Sequence, residues 1–267
     1  FDLPPELAKF ADGLKCGTVI DINKLRRPWG RTRILALKGS LAKLINPFGD
    51  QTDRFSIHIT APEEQAEDDR LAQAAKEANQ EALPKDVVNG RVGNFIFAAL
   101  QDKTTFIRAS IDGDQLNTTL TDRGELIYRI REPNPYVDLK DSGFVCEIYY
   151  LNQSAKTTFT RRIGLQPVQF GSVFLFRNNF RVYPIGEDGN DWFGFDRRKQ
   201  QGYARFLGTR EIIGRVDVFG SDEDFQEASS RNQGLIDTPA VQQLRRAVME
   251  NCLKRLEKYV VPVSWVD

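Results

Sequence analysis

Residues 104–132 read "TTFIRASIDGDQLNTTLTDRGELIYRIRE". Three short runs, "TTFIRASID", "DQLNTTLTD" and "ELIYRIRE", meet at the triplets Asp112-Gly113-Asp114 and Asp122-Arg123-Gly124, which carry the chemistry of tight hairpins. The pattern predicts an antiparallel meander, extended upstream by "NFIFAAL" (94–100) and downstream by "FVCEIYYL" (144–151). "NQSAKTTFTRRIG" (152–164) then reads as a helix with Asn152 or Ser154 as cap and Gly164 as stop. "SVFLFRNNFRVYP" (172–184) is a hairpin about Asn178-Asn179, two residues suited to positive φ, and "TREIIGRVDVFG" (209–220) is a further strand. The closing stretch "TPAVQQLRRAVMENCLKRLEKYVV" (238–261) sets Val241, Leu244, Val248, Cys252, Leu253 and Leu256 on one helical face, capped by Thr238 with Pro239 in the first turn. Strands dominate, so the expected class is α+β: a mixed, largely antiparallel sheet with helices packed on one side.

Working outward, residues 1–60 carry a different rhythm. "FDLPPELAKFADGLKCGTVIDINKL" begins as a helix and ends as a strand; "RTRILALKGSLAKLINPF" is a helix with Ile34, Leu37, Leu41, Leu44 and Ile45 on one face, ended by Asn46-Pro47; "RFSIHIT" alternates as a strand. This is an α/β unit. From Ala61 the composition shifts to Ala, Glu and Gln between Pro62 and Pro84, which reads either as a solvated helical connector or as a partner-binding helix. The expected division is residues 1–60, a connector over 61–86, and a second domain over 87–267. The first residue is Phe1 rather than Met, which leads to the expectation that the numbering starts inside a longer polypeptide or a cut one.

Composition bounds the chemistry. The 267 residues are 40% hydrophobic, enough for a large core, and 37 basic residues balance 37 acidic ones, so any nucleic-acid or membrane contact must come from a local patch. Cys16, Cys146 and Cys252 are odd in number and far apart, which points to free thiols, a reducing compartment and a cytoplasmic location. No run approaches the roughly 20 apolar residues of a membrane span. His58 is the single histidine, and no CxxC, P-loop or Gly-rich dinucleotide turn occurs, so the sequence offers no metal site, no catalytic triad and no self-contained NTPase of another class.

Four segments together resemble the GHKL ATPases, the superfamily of gyrase B, the ninety-kilodalton heat-shock chaperones, MutL, histidine kinases and MORC proteins. They are "CGTVIDINKLR" with the following helix and "FSIHI"; the long run "GSVFLFRNNFRVYPIGEDGNDWFGFDRRKQQGYARFLGTREIIGRV"; "FQEASSRNQGL"; and the helix ending "LEKYVV". MORC-like and bacterial chaperone-like ATP-binding proteins look most similar. The resemblance implies that residues 1–60 are the C-terminal remnant of a nucleotide-binding domain, with Gly17 and Thr18 in the adenine region, and that residues 87–267 are a ribosomal-S-five-like transducer sandwich. It implies ATP and Mg²⁺ as cofactors of the full-length protein, a homodimer, and a missing N-terminal ATPase segment as partner. The Asn helix, the Asp-x-Gly-x-Gly turn and the Gly-rich lid of the superfamily are absent from this sequence, so the chain alone is expected to lack ATPase activity.

In such transducers one loop carries a Lys that senses the γ-phosphate, a group needing a cation and amide donors. Here "SSRNQG" (229–234) occupies that place, with Asn232 at the Lys position, Arg231 as its cation and Gln233 beside them. The residues themselves allow two readings: a sensing loop, or a capped turn in which Arg231 pairs with Glu227 or Asp237. A second cluster, Arg197, Arg198, Lys199, Arg205 and Arg210 around Tyr203 and Phe206, reads as an interface loop whose charges pair with "GEDGND" just upstream, or as a nucleic-acid contact. Trp192, Phe193 and Phe195 read as core anchors.

Overall fold

The computed structural model describes residues 20, 22, 24–42, 57–79, 82, 85–92, 100, 102–163, 166–202, 205–228 and 234–264. In the first part, helix α1 (Arg31–Ala42), strand β1 (Ile57–Ile59), helix α2 (Gln65–Glu77) and strand β2 (Gly90–Val92) form a small unit around Ile34, Ala61 and Val88. β1 and β2 pair antiparallel, Ile57 opposite Val92 and Ile59 opposite Gly90. The stretch expected as a solvated connector therefore lies between two paired strands. Its helix is mostly exposed, as its Ala/Glu/Gln content implies, yet Asp68 on it is buried.

The second part is a seven-stranded sheet, which makes the protein mixed α+β. Its strands are β3 (Thr105–Asp112), β4 (Gln115–Asp122), β5 (Glu125–Pro133), β6 (Val145–Tyr150), β7 (Val173–Arg177), β8 (Phe180–Arg181) and β9 (Ile212–Val218), in the order β5-β4-β3-β6-β9-β7-β8. All neighbours are antiparallel except β7 and β9. The turns follow the sequence chemistry. Arg123 (φ 50°) and Gly124 (φ 87°) turn β4 into β5, and Asn178 (φ 50°) and Asn179 (φ 68°) turn β7 into β8, both pairs being left-handed as a two-residue hairpin turn requires. A bulge sets Leu120 opposite Tyr128 and Thr121 opposite Leu126, leaving Ile127 as the extra residue on the edge strand. "NFIFAAL" lies outside the described residues apart from Leu100, which is buried.

Four short helices, α3 (Gln153–Ile163), α4 (Pro167–Phe170), α5 (Phe195–Lys199) and α6 (Asp222–Phe225), precede the long C-terminal helix. The long helix runs as α7 (Pro239–Ala247), a π segment (Val248–Leu253) and α8 (Lys254–Ser264). Thr238 caps it, its Oγ1 accepting from the Val241 amide at 3.2 Å. Its buried stripe Leu244, Val248, Cys252, Leu256, Val260 advances in steps of four. Each such step overshoots an ideal α-helical turn by about 40°, so a straight helix would rotate its stripe off the sheet. The wider π turn absorbs the drift and keeps the stripe facing Ile107, Ala109, Leu116, Leu120, Cys146 and Val216.

The opposite face carries a second, smaller core. Ala155 and Phe159 of α3 and Phe170 of α4 pack on Tyr149, Phe174, Phe176 and Ile213, with Phe159, Phe170 and Phe174 in edge-to-face contact at 5.4 and 5.6 Å. The expected one-sided helical layer is thus the C-terminal helix, and α3 and α4 cover part of the other face. Asn152 is the α3 cap, its Oδ1 accepting from the Ala155 amide at 2.8 Å. Where no helix covers this second face, it turns polar.

Candidate functional site

Residues 226–228 and 234–236 form the stem of the loop that carries "SSRNQG". Glu227 and Leu235 form an antiparallel bridge, the Ala228 amide donates to the Gly234 carbonyl (2.8 Å), and the Ile236 amide to the Gln226 carbonyl (2.8 Å). Gly234 closes the stem in the left-handed region (φ +70°). A Cβ there would stand 2.8 Å from Ile185 Cδ1 and 3.2 Å from Trp192 Nε1, so glycine is required by both backbone and space. Below it, Arg245 of α7 lies over the Trp192 ring at 4.0 Å, and Phe193 stacks on Phe195 at 5.2 Å. Trp192 Nε1 is buried and has no hydrogen-bond partner among the described residues. Thr238 joins the stem to the long helix: besides capping α7, its hydroxyl donates to the Asp224 carbonyl at 2.6 Å. Arg231, Asn232 and Gln233 themselves, like Gly17 and Thr18, lie outside the described residues. Of the acidic partners considered for Arg231, Asp237 accepts from Arg245 (3.3 Å).

The basic segment resolves into two groups. Arg198 of α5 donates to both carboxylate oxygens of Glu257 (2.6 and 2.8 Å) and stacks on Phe206 at 3.8 Å, while Glu257 also accepts from the Leu207 amide at 2.8 Å. Lys199 pairs with Glu211 at 2.6 Å. Asp191 accepts from the amides of Asp196 and Arg197, and Asp196 from the amide and hydroxyl of Thr209. Arg198 and Lys199 are therefore internal ties, clamping the 196–210 segment to α8 and to the start of β9. The side chains of Arg197, Arg205 and Arg210 are exposed. "GEDGND" contributes through Asp191, but its Glu187 pairs with Arg181 at 2.7 Å instead.

Two further charged groups escaped the sequence reading. In the first unit, Asp68 accepts from the Val88 and Asn89 amides (2.9 and 2.8 Å), from Asn89 Nδ2 (2.9 Å) and from Arg31 (2.6 Å), and Asn89 in turn bonds both backbone groups of Ala61. Burial pushes the Asp68 carboxyl up, but these donors outweigh it and hold the group down at about 2. On the polar sheet face, registered pairs align Arg129, Thr119, Arg108, Glu147 and Arg215 in one row. Arg108 pairs with Glu147 at 2.7 Å and Arg215 with Asp217 at 2.8 Å. Burial raises the Asp217 carboxyl to about 6, opposed by Arg215 and reinforced by Glu147. The signal was present as charges inside apolar strands, but only the register shows that they share a face.

No protein-family model and no curated protein matches the chain. Among solved structures, the B subunit of DNA gyrase from Myxococcus xanthus aligns over 74% of this chain and 80% of its own, at 10% identity and a TM-score of 0.28, a likeness at which neither fold nor function transfers.

Among the described residues no group of three or more His, Cys, Asp and Glu side chains is gathered to hold a metal ion. Cys146 and Cys252 are free and buried, and burial, with the hydrogen bond to Cys252, pushes the Cys146 thiol well up, which makes it unreactive. Again among the described residues, no helix is long and apolar enough to cross a membrane. The described residues supply the stem of the loop.

Proposed function

We propose that this chain is the transducer portion of a GHKL-type ATPase, coupling ATP binding and hydrolysis to dimerisation or conformational change, with Arg231, Asn232 and Gln233 reporting the terminal phosphate. The observation that carries the reading is the strapped stem, residues 226–228 and 234–236, set between β9 and the long C-terminal helix. A phosphate reporter needs a cation on a stiff mount, because a loose side chain gains charge-assisted bonds without moving anything else. The stem meets that need. Its Gly234 seat on Ile185 and Trp192, the Arg245 stack on Trp192, and the Thr238 bonds to Asp224 and Val241 join it to the long helix. Arginine suits a terminal phosphate through its two-pronged fork, although its geometry differs from the lysine of the resembling proteins. The internal ties of Arg198 and Lys199 favour this role over nucleic-acid contact by the 196–210 segment.

ATP and Mg²⁺ belong to this reading through motifs that the sequence lacks, so the chain alone is proposed to turn over no ATP. In the full-length polypeptide, Arg231→Ala is expected to lower the turnover number by about tenfold or more, and Arg231→Lys to recover part of it. Thr18→Ala is expected to weaken binding of ATP and ADP alike. Unchanged turnover in Arg231→Ala and unchanged binding in Thr18→Ala together overturn the assignment.

A further inference from the structure

We infer that the free edge of β5 is a docking site for an extended, acidic peptide segment of a partner protein, one that alternates carboxylate and apolar side chains and adds to the sheet as an eighth strand. Among the described residues β5 pairs with β4 alone, so its outer backbone groups face away from the sheet. The strand spans nine residues and exposes three large aliphatic side chains, Leu126 (55%), Ile127 (42%) and Ile130 (37%). By the register Leu126 lies on the Thr121 face and Ile130 on the helix face, so the edge offers apolar side chains to both sides of an added strand, while the bulge at Ile127, the edge charges and Pro133 deter indiscriminate pairing and leave a partner matched to them.

The two faces of the edge specify the partner. Beyond the bulge, Arg129 and Arg131 point to the polar face, opposite Thr119 and Asn117, and Arg108 follows in the row of Arg129. Arg129 and Arg131 are exposed and hold no carboxylate among the described residues. Ile130 points to the helix face, beside an open groove of about 440 Å³ lined by Tyr128, Ile130, Arg255, Lys258 and Tyr259. Lys258 is exposed at its rim. The nearby acids are engaged, Glu132 with Arg255 and Asn251, and Asp122 with Thr105 and Tyr259, which leaves Glu125 at the strand's start. An incoming strand whose alternate residues are Asp or Glu would oppose the two arginines, and its intervening residues would drop a large apolar side chain into the groove.

A second copy of this chain fits poorly. Antiparallel self-pairing centred on Arg129, Ile130 or Arg131 sets an arginine opposite an arginine. Nucleic acid would use the same cations but not the backbone edge or the aliphatic side chains, and the test separates the two.

The test is fluorescence anisotropy at low salt with a labelled peptide, acetyl-Gly-Glu-Val-Glu-Phe-Glu-Val-Gly, its lysine-for-glutamate counterpart, and a labelled oligothymidine. The acidic peptide is expected to bind the unaltered protein about tenfold or more tightly than the lysine peptide, and to protect the outward-facing amides within residues 125–132 from hydrogen exchange. The double variant Arg129→Glu with Arg131→Glu is expected to reverse the preference. Should that variant not fold, the comparison of the two peptides on the unaltered protein carries the decision alone. Equal binding of the peptides, tighter binding of oligothymidine, or bound peptide without amide protection overturns the inference.

Discussion

Glu257 offers the sharpest test of how the basic segment is held. Its side chain is 6% exposed and accepts three hydrogen bonds, two from one guanidinium nitrogen of Arg198 (18% exposed) and one from the Leu207 amide. Glu257→Ala leaves a largely buried guanidinium without its anion and a buried amide without an acceptor. Removing one member of a buried pair costs about 3–5 kcal/mol. For a chain of this size each kcal/mol moves the melting temperature by about 2–4 °C, so a drop of about 6–20 °C is expected. Glu257→Gln keeps an acceptor for Leu207 and loses the charge, and its cost should fall nearer 1–3 kcal/mol. Urea unfolding followed by far-ultraviolet circular dichroism gives both values on one preparation. If Glu257→Ala costs less than about 1 kcal/mol, or no more than Glu257→Gln, the pair is not the clamp described.

Three further perturbations have definite outcomes. Because the folded-state pKa of Asp217 is raised to about 6 from 3.8, the native state binds the extra proton, and stability from this group falls as pH rises from about 4 to 6, by about 3 kcal/mol in all. Urea midpoints across that range should fall less steeply in Asp217→Asn, and an identical slope in parent and variant contradicts the assignment. At the β7–β8 turn, Asn179→Ala should cost about 1 kcal/mol through its positive φ while Asn179→Gly costs little or nothing; equal thermal stability of the two would show that the turn is not left-handed there. Gly234→Ala should cost about 1–2 kcal/mol from the left-handed backbone, with more from displacing Ile185, and should quench or shift Trp192 fluorescence. A silent spectrum would separate the stem from Trp192.

Local chemistry was the most legible part of this sequence. The Asp122-Arg123-Gly124 and Asn178-Asn179 turns, the Asn152 and Thr238 caps and the strand "EIIGRVDV" appear where their residue types dictate, because each is decided within a few residues. What the sequence withheld depends on register. Arg108, Glu147, Arg215 and Asp217 are far apart in the chain and meet only because β3, β6 and β9 are neighbours. The π segment was hidden for a related reason: the stripe of four-residue steps reads as an ordinary amphipathic helix until the sheet requires it to stay in phase. The basic run at 196–210 looked uniform, yet Arg198 and Lys199 have acidic partners at Glu257 and Glu211, brought in by α8 and by the turn before β9. The 61–86 stretch reads as solvated because its helix is mostly exposed, its ties to the rest of the unit running through Asp68, Glu64 and the backbone of Ala61 and Asp86.

The central proposal is that the stem formed by residues 226–228 and 234–236 mounts a reporter of the terminal phosphate. Its most direct test is the ratio of the ADP to the ATP-analogue dissociation constants, measured by calorimetry on the full-length polypeptide and on its Arg231→Ala variant. The expected result is a ratio that falls by about tenfold in the variant, the size of one charge-assisted contact to phosphate, with the ADP value unchanged. An unchanged ratio, or a full-length polypeptide that binds neither nucleotide, would contradict it.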